Sequence, residues 1–461
     1  MSKAMSSTIK RNKYEIDMCN GTIMDKLISF SLPLMLSGIL QLMFNAVDII
    51  VIGRFSGSQS LAAVGSTTAL INMFTNLFIG ISLGANVLSA RFYAAGKDKE
   101  MSETVHTAIT LALISGIIMV FVGLIFAKPV LELMDTPDDV INLSTLYMRI
   151  YFMGMPFFML YNYGASILRA VGDTKRPLFY LIVAGIANAG LNMCLVIIFH
   201  LGVAGVAIGT VISQLISSIL VLRCLYRSET SYQLHFSKLK IQKEYLKQIF
   251  QVGIPAGIQS TVINFSNVLL QSSVNSFGSI AMAGYTAANN IFGFLYVTVN
   301  AVTQACMSFT SQNYGVGKWK RMDRVLIDCL ILSFVAMMIL GNSAYFFGPK
   351  LLTIYTSNSK VIQCGMEILL YTTVTYFLCG FMDLFPGALR GMGRSGVPMI
   401  LSIIGTVGTR IVWIFWIFPN HRSLDILFIS YPASWIITIV LQVICYYFVR
   451  KQLYAKMRAE A

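Results

Sequence analysis

The sequence predicts an all-α integral membrane protein: twelve transmembrane helices arranged as two six-helix bundles built from a parallel repeat. Three observations carry this. Of 461 residues, 56% are hydrophobic and 12% charged, whereas a soluble domain carries about 25% charged residues. The apolar residues fall in long runs with few charges, and about 20 such residues suffice to cross the hydrocarbon core. Sequence motifs also recur at a constant spacing.

The runs place helices at 27–53, 60–90, 104–127, 142–168, 177–199, 203–226, 246–276, 280–312, 323–347, 364–389, 396–418 and 425–449. Two stretches, 177–222 and 248–317, are too long for one crossing. Gly202 and 276–278 punctuate them as turns, so each reads as a hairpin of two helices. The chain then divides into an amino-terminal cytoplasmic segment (1–26), a first bundle (27–226), a basic cytoplasmic linker (227–246), a second bundle (247–449) and a cytoplasmic tail (450–461). The first 26 residues are polar and lack the apolar core of a cleavable signal peptide, so helix 1 is itself the insertion signal.

The net charge of +14 raises the question of nucleic acid, but the placement of the charges answers it. Alternate loops collect 27 of the 34 Lys and Arg, among them Lys3, Lys10, Arg11, Arg91, Lys97, Arg176, Arg227, Lys240, Lys318, Arg321, Arg394, Arg450, Lys456 and Arg458. The opposite side has Arg54, Lys128, Lys350, Lys360 and Arg422. By the positive-inside rule both termini are cytoplasmic and the helix count is even. The basic loops are topology signal and attraction to anionic lipid; no nucleic-acid partner is expected. The eight cysteines show no paired spacing, so neither disulfides nor a metal cluster is expected.

The repeat is read from three marks. Arg91-Phe-Tyr93-Ala-Ala-Gly96-Lys97 returns as Gln312-Asn-Tyr314-Gly-Val-Gly317-Lys318, and Leu168-Arg169-Ala-Val-Gly172 returns as Leu389-Arg390-Gly-Met-Gly393, both at an offset of 221 (317 − 96; 393 − 172). Pro33 and Pro255 stand 222 apart (255 − 33). With six helices per half, the halves share one orientation, a plan common in transporters that bind substrate near the midplane.

Polar residues within the helices are the candidates for that space. Helix 7 carries a stripe of Ser260, Asn264, Asn267, Gln271 and Asn275 at helical spacing. Helix 2 carries Thr68, Asn72, Thr75 and Asn76; helix 8 carries Asn289, Tyr296, Asn300 and Gln304; helix 5 carries Asn188 and Asn192. Such amides also bond across helix contacts in membranes, but five on one stripe exceed that need, and a cavity lining is favoured.

Four charges need separate accounts. Asp48 lies in helix 1 with no cation at a helical pairing distance. A carboxylate in a membrane helix is costly and usually marks an ion or substrate path. Asp383 in helix 10 and Arg410 in helix 11 are read as a neutral structural ion pair, with a second ion site at Asp383 as the alternative. Arg149 is placed at the outer end of helix 4, snorkelling to the interface.

With these residues in view, the chain resembles the multidrug and toxic compound extrusion (MATE) family, of the bacterial DinF/NorM kind. The resemblance is carried by Pro33, Asn45-Ala-Val-Asp48 and Gly53-Arg54; by Leu168-Arg169-Ala-Val-Gly172-Asp173-Thr174-Lys-Arg-Pro177 and Gly202-Val-Ala-Gly205; and by Gly253-Ile-Pro255-Ala-Gly257 and Gln312-Asn-Tyr314-Gly. It implies two bundles facing each other in a V, in the bacterial inner membrane, exporting amphipathic and often cationic organic compounds in exchange for H⁺ or Na⁺. The sequence departs from the family at three places. Asn192 stands where many relatives have an acid, Phe292 where closer ones often have Glu, and nothing in 248–317 is charged, although NorM-type relatives place an acid in helix 7.

Asp48 with Asn188, Asn192 and Thr210 is therefore the expected coupling site. As a proton site it loads outside and releases inside; as a sodium site its carboxylate joins neighbouring oxygens, the ligands hard cations want. Pro33 would let helix 1 kink as the site loads. Substrate would meet Asn72, Asn76, Asn264, Asn267, Gln271, Asn289, Tyr296 and Asn300. The 25 Met and 30 Phe suit a wall that repacks around varied shapes. No cofactor beyond the coupling ion, no metal other than Na⁺ at Asp48, and a monomer are expected. A flippase for lipid-linked precursors is the alternative function. An enzyme is disfavoured because HExxH and a Ser/His or carboxylate dyad at working spacing are absent, and the absence of GxxxxGK[ST] points to a gradient as the energy source.

Overall fold

A computed structural model describes residues 12–134 and 136–460. The basic residues Lys3, Lys10 and Arg11 of the topology argument lie outside the described residues, as do the side chains of Lys456 and Arg458. Among the described residues the secondary structure is entirely helical. In the first half the helices are α1 (Met24–Phe55), α2 (Gly57–Ala94), α3 (Asp98–Leu133), α4 (Asp138–Met153), α5 (Met155–Ala170), α6 (Lys175–Met193) and α7 (Gly202–Tyr226). In the second they are α8 (Lys243–Asn275), α9 (Ser279–Gly315), α10 (Trp319–Phe346), α11 (Gly348–Thr353), α12 (Ser359–Thr373), α13 (Tyr376–Gly391), α14 (Gly396–Ser402), α15 (Thr409–Val412) and α16 (Leu424–Glu460).

Nine described helices are long and apolar enough to cross a bilayer, and α12 with α13, bent by 44° at their junction, makes a tenth. The two remaining predicted positions hold α8, whose amide stripe lowers its hydropathy, and the pair α4–α5. The predicted single helix 142–168 is thus broken at Gly154, and the predicted 364–389 begins earlier, at Ser359, and breaks at 374–375. In the first case the cause is Pro156, which lacks an N–H for the helix ladder and clashes with the preceding turn. α3 presses on this proline, since a Cβ on Gly116 would lie 2.4 Å from Pro156 Cα. The predicted helix 396–418 contains two π-helical segments, Ile403–Gly408 and Trp413–Ile417, on either side of α15. In the first half, Cys194–Ile198 is π-helical at the end of α6.

The repeat is visible in backbone geometry. Glycines with positive φ pair as Gly57 and Gly278, Gly96 and Gly317, and Gly172 and Gly393, each 221 apart (278 − 57; 317 − 96; 393 − 172). The first pair shares only Gly-Ser (Gly57-Ser58 and Gly278-Ser279), too little to serve as a motif. At Gly172, φ is +98° and a Cβ would lie 2.6 Å from the Ile16 nitrogen, so space and conformation both require glycine.

The chain divides into two compact units. One comprises 12–20, 32–254 and 315–317, and the other 21–31, 255–314 and 318–460. Two of the divisions fall inside helices: in α1, just before Pro33, and in α8, immediately before Pro255. Each unit has its own apolar core, around Met148, Phe152 and Tyr163 in the first and around Tyr285, Ile368 and Phe428 in the second. The outer faces stay apolar too. On α3, for example, Ile117, Phe121, Ile125 and Phe126 are exposed, which suits contact with lipid chains rather than water.

At the end of the first unit that carries the basic loops, residues 12–20 are tied down. Glu15 accepts bonds of 2.6 Å from both Tyr93 and Tyr232 hydroxyls, and Arg176 lies 5.4 Å from the Tyr14 ring centroid. Burial, with Glu15 beside it, pushes the Tyr232 phenol up, so it remains a donor. The linker is held by α3. The His235 N–H donates to His106 Nε2 at 3.0 Å, His106 Nδ1 meets the Ser102 carbonyl at 2.6 Å, and the Gln242 N–H donates to Thr107 at 3.2 Å. In the second unit Asp323 of α10 gathers Tyr446, Tyr454 and Arg450 from the end of α16.

The linker attachment is testable. His106→Ala should remove about 1 kcal/mol of local stability and speed protease cleavage within 227–242 several-fold relative to the rest of the chain. Unchanged cleavage would show that the linker is held by other contacts.

Candidate functional site

The Asp48 site is built on one helix contact. Phe44 and Asp48 are four residues apart and so share a face of α1, while Gly185, Asn188 and Asn192 share a face of α6. The Phe44 ring fills the space over Gly185, where a Cβ would lie 1.6 Å from the ring. That close approach sets Asp48 against the two asparagines. Asp48 is 8% exposed and Asn192 fully buried.

Within the cluster, Asn192 Nδ2 donates to Asp48 Oδ1 at 2.5 Å and lies 3.2 Å from Asn188 Oδ1. Asn188 Nδ2 lies 3.4 Å from the Thr210 hydroxyl. Thr210 on α7 is 3.5 Å from Asp48 Oδ2 and 3.0 Å from the carbonyl of Val206, its partner one turn back. Gly209, beside Thr210, leaves room for the Asn192 side chain: a Cβ there would lie 2.2 Å from Asn192 Oδ1. That oxygen is buried and has no hydrogen-bond partner. No ion pair among the described residues includes Asp48.

The structure therefore brings Asp48, Asn188, Asn192 and Thr210 together within the first unit. Sequence reasoning misses the parts that position them. Phe44 and Gly185 look like ordinary apolar and small residues until the helices are packed. Tyr147 and Tyr151 of α4, rings 6.0 Å apart, lie within electrostatic reach of Asp48; their spacing of four is the available signal. The oxygen-rich donor set suits H⁺ or a hard cation, and among the described residues no cluster of His, Cys, Asp and Glu suits another metal.

The remaining candidates are more dispersed. On α2, Asn72 is exposed and Asn76 half-buried, while Thr68 and Thr75 donate their hydroxyls to the carbonyls of Val64 and Ile71 in their own helix, which leaves them acceptors only. In the second unit Asn264, Asn275 and Asn289 are exposed, Gln271 is half-buried, and Tyr296 is 46% exposed. Asn300 accepts a 2.5 Å bond from Gln304 one turn on. Asn267 is engaged as an acceptor for Arg410 at 2.8 Å.

That bond corrects the reading of Asp383 and Arg410 as an ion pair. Arg410 reaches Ser266 and Asn267 on α8 and lies over the Tyr431 ring at 4.6 Å. The cation that acts on Asp383 is Arg390, two turns along α13, which also donates to Gln259 at 2.7 Å. The π-helical segment Ile403–Gly408 shifts the register of the residues after it and turns Arg410 toward α8. Arg149 also departs from expectation. α4 starts at Asp138, so Arg149 lies in its fourth turn rather than at its outer end, and it is exposed.

Comparison with known proteins agrees with this architecture. The sequence model of one family, described as MatE, matches residues 33–194 and again 255–416, once in each repeat. The Bacillus subtilis protein named "Probable multidrug resistance protein YoeA" is 30% identical over 434 residues, covering 92% of this chain and 93% of its own length. The multidrug export protein MepA of Staphylococcus aureus (strain NCTC 8325 / PS 47) is 23% identical over 380 residues, 82% of this chain and 84% of its own. A structure described as the outward-facing conformation of a multidrug resistance MATE family transporter of the MOP superfamily superposes with a TM-score of 0.88 at 20% identity, covering 97% of this chain and 100% of that one. At that identity the likeness is one of fold.

The Phe44–Gly185 contact can be tested by a double-mutant cycle. Gly185→Ala should cost about 1–3 kcal/mol of stability through overpacking, read from thermal unfolding in detergent. Adding Phe44→Ala should recover part of that loss. Strictly additive effects would mean that the two positions do not share the space the structure gives them.

Proposed function

The chain belongs to the MatE family, and from that premise we propose that it is a secondary active multidrug exporter, moving amphipathic and often cationic organic compounds outward in exchange for H⁺ or Na⁺. The observation that carries this is Asp48: a buried carboxylate bonded to an amide and near a hydroxyl, with no cation partner among the described residues. The names of its relatives, multidrug export and multidrug resistance proteins, support the substrate class.

The physical argument starts from charge. An ionised carboxylate inside a membrane helix costs several kcal/mol, and a bound proton or sodium ion removes most of that cost. The Asn192 N–H that points at Asp48 Oδ1 suits the ionised, unloaded state. A proton would neutralise the carboxylate and weaken that bond. A sodium ion would take Asp48, Thr210 and Asn188 oxygens, with Asn192 turning its partnerless Oδ1 toward the ion. Either event changes what joins α1 to α6 and α7, because the Asp48 contacts span these helices. Such a change in one half is the differential interaction that alternating access requires.

In this reading Asn72 and Asn76 of the first unit, and Asn264, Asn267, Gln271, Asn289, Tyr296 and Asn300 of the second, offer polar contacts to substrate. Asp383 is the candidate for a second polar site. The protein acts as a monomer in the plasma membrane, with both termini cytoplasmic.

Export of a fluorescent organic cation from proteoliposomes, with a pH or a sodium gradient imposed separately, tests the proposal. One gradient should drive wild-type export, and Asp48→Asn should bind the dye but lose gradient-driven movement. Export by the variant at the wild-type rate would remove Asp48 from coupling.

A further inference from the structure

The repeat places a charge of opposite sign in the second unit. Pro33 and Pro255 set an offset of 222 for the first helix of each half, which pairs Phe44 with Ser266 and Asn45 with Asn267 (266 − 44; 267 − 45). α6 and α14 begin 221 apart (396 − 175). The π-helical segment Ile403–Gly408 accommodates one extra residue, so beyond it Arg410 pairs with Asn188 (410 − 188 = 222). Arg410 thus joins α15 to α8 where, in the first unit, Asn188 stands beside the carboxylate that joins α6 to α1.

Arg410 is 3% exposed. Both of its hydrogen bonds to protein, to Ser266 and Asn267, leave from Nη1. Nε is buried with no partner. The edge of the guanidinium formed by Nε and Nη2, which grips a carboxylate in two parallel bonds, therefore has no protein acceptor among the described residues. The titratable side chains that act on Arg410 are Tyr431, Tyr285, Cys379 and Tyr376, none of them an Asp or Glu. The Tyr431 ring at 4.6 Å offsets part of the cost of burying the charge, but a ring and neutral acceptors leave it uncompensated. Asn267 is half-buried, with exposed Asn264 and half-buried Gln271 a turn to either side, so polar surface leads from the open face of α8 to the guanidinium.

We propose that the second unit holds an anion site at Arg410 that takes the carboxylate of an amphipathic organic substrate. This inference rests on the exporter reading, and extends the substrate class from cations to acids and zwitterions.

The test uses the full chain in lipid nanodiscs and a matched pair of probes, dansylglycine and dansylglycine amide, followed by dansyl emission. Wild type should bind the carboxylate about tenfold or more tighter than the amide, the factor expected for a hydrogen bond to a charged group. Excess acetate should compete with dansylglycine. Arg410→Gln should abolish the preference and Arg410→Lys retain part of it. Equal binding of the two probes by wild type, alongside binding of tetraphenylphosphonium, would overturn the anion site and leave the exporter reading standing. Failure to bind any of the three would overturn both. A carboxylate preference that survives in Arg410→Gln would also overturn it, since the anion would then be recognised elsewhere. The wild-type comparison decides the matter even if Arg410→Gln fails to fold.

Discussion

A single carboxylate has to be kept in a region where charge is expensive, and much of the first unit is arranged by that constraint. Asp48 is tolerable because Asn192 and Thr210 present dipoles to it, with Asn188 bonded to Asn192 behind them, and these meet it because the tip of the Phe44 ring occupies the space over Gly185. A bulkier residue at 185 would separate α1 from α6, and one at 209 would displace Asn192. Glycine is thus used here for closeness rather than backbone freedom. The same economy appears at Gly84, where a Cβ would lie 2.2 Å from the Ile249 carbonyl, as expected where helices pack without water to drive them together.

The duplication imposes a second constraint. Both halves keep the turns, with positive-φ glycines at matching positions, and both interrupt the fourth span, at Gly154 and at Thr375 (375 − 154 = 221). Against that shared backbone the polar chemistry has diverged. The first half holds an acid among amides; the second holds a guanidinium between a serine, an amide and a tyrosine ring. A repeated scaffold lets two polar clusters of opposite charge arise without a new fold.

Sequence readings meet their limits here for different physical reasons. Asp383 and Arg410 look like partners because both are intramembrane charges in one half, yet linear spacing cannot report how a π-helical turn rotates a side chain. Thr68 and Thr75 match a polar stripe, but a threonine in a helix can satisfy its hydroxyl on its own backbone, as both do here. The break at Gly154 does carry a local signal, Pro156, but the long apolar run around it reads as one crossing, because apolar runs report membrane depth rather than helix continuity.

By itself the sequence determined the membrane class, the two-fold repeat, the distribution of charge among the loops and the identity of the one acid in helix 1, because these depend on hydropathy, charge and spacing along the chain. Tertiary structure alone decided which amides reach Asp48, that Arg410 turns to α8 instead of Asp383, and that Phe44, Gly185 and Gly209 are part of the site. Those outcomes depend on helix rotation and on approaches of a few ångströms between residues more than 100 positions apart, such as Asp48 and Asn192, and no local pattern encodes such distances.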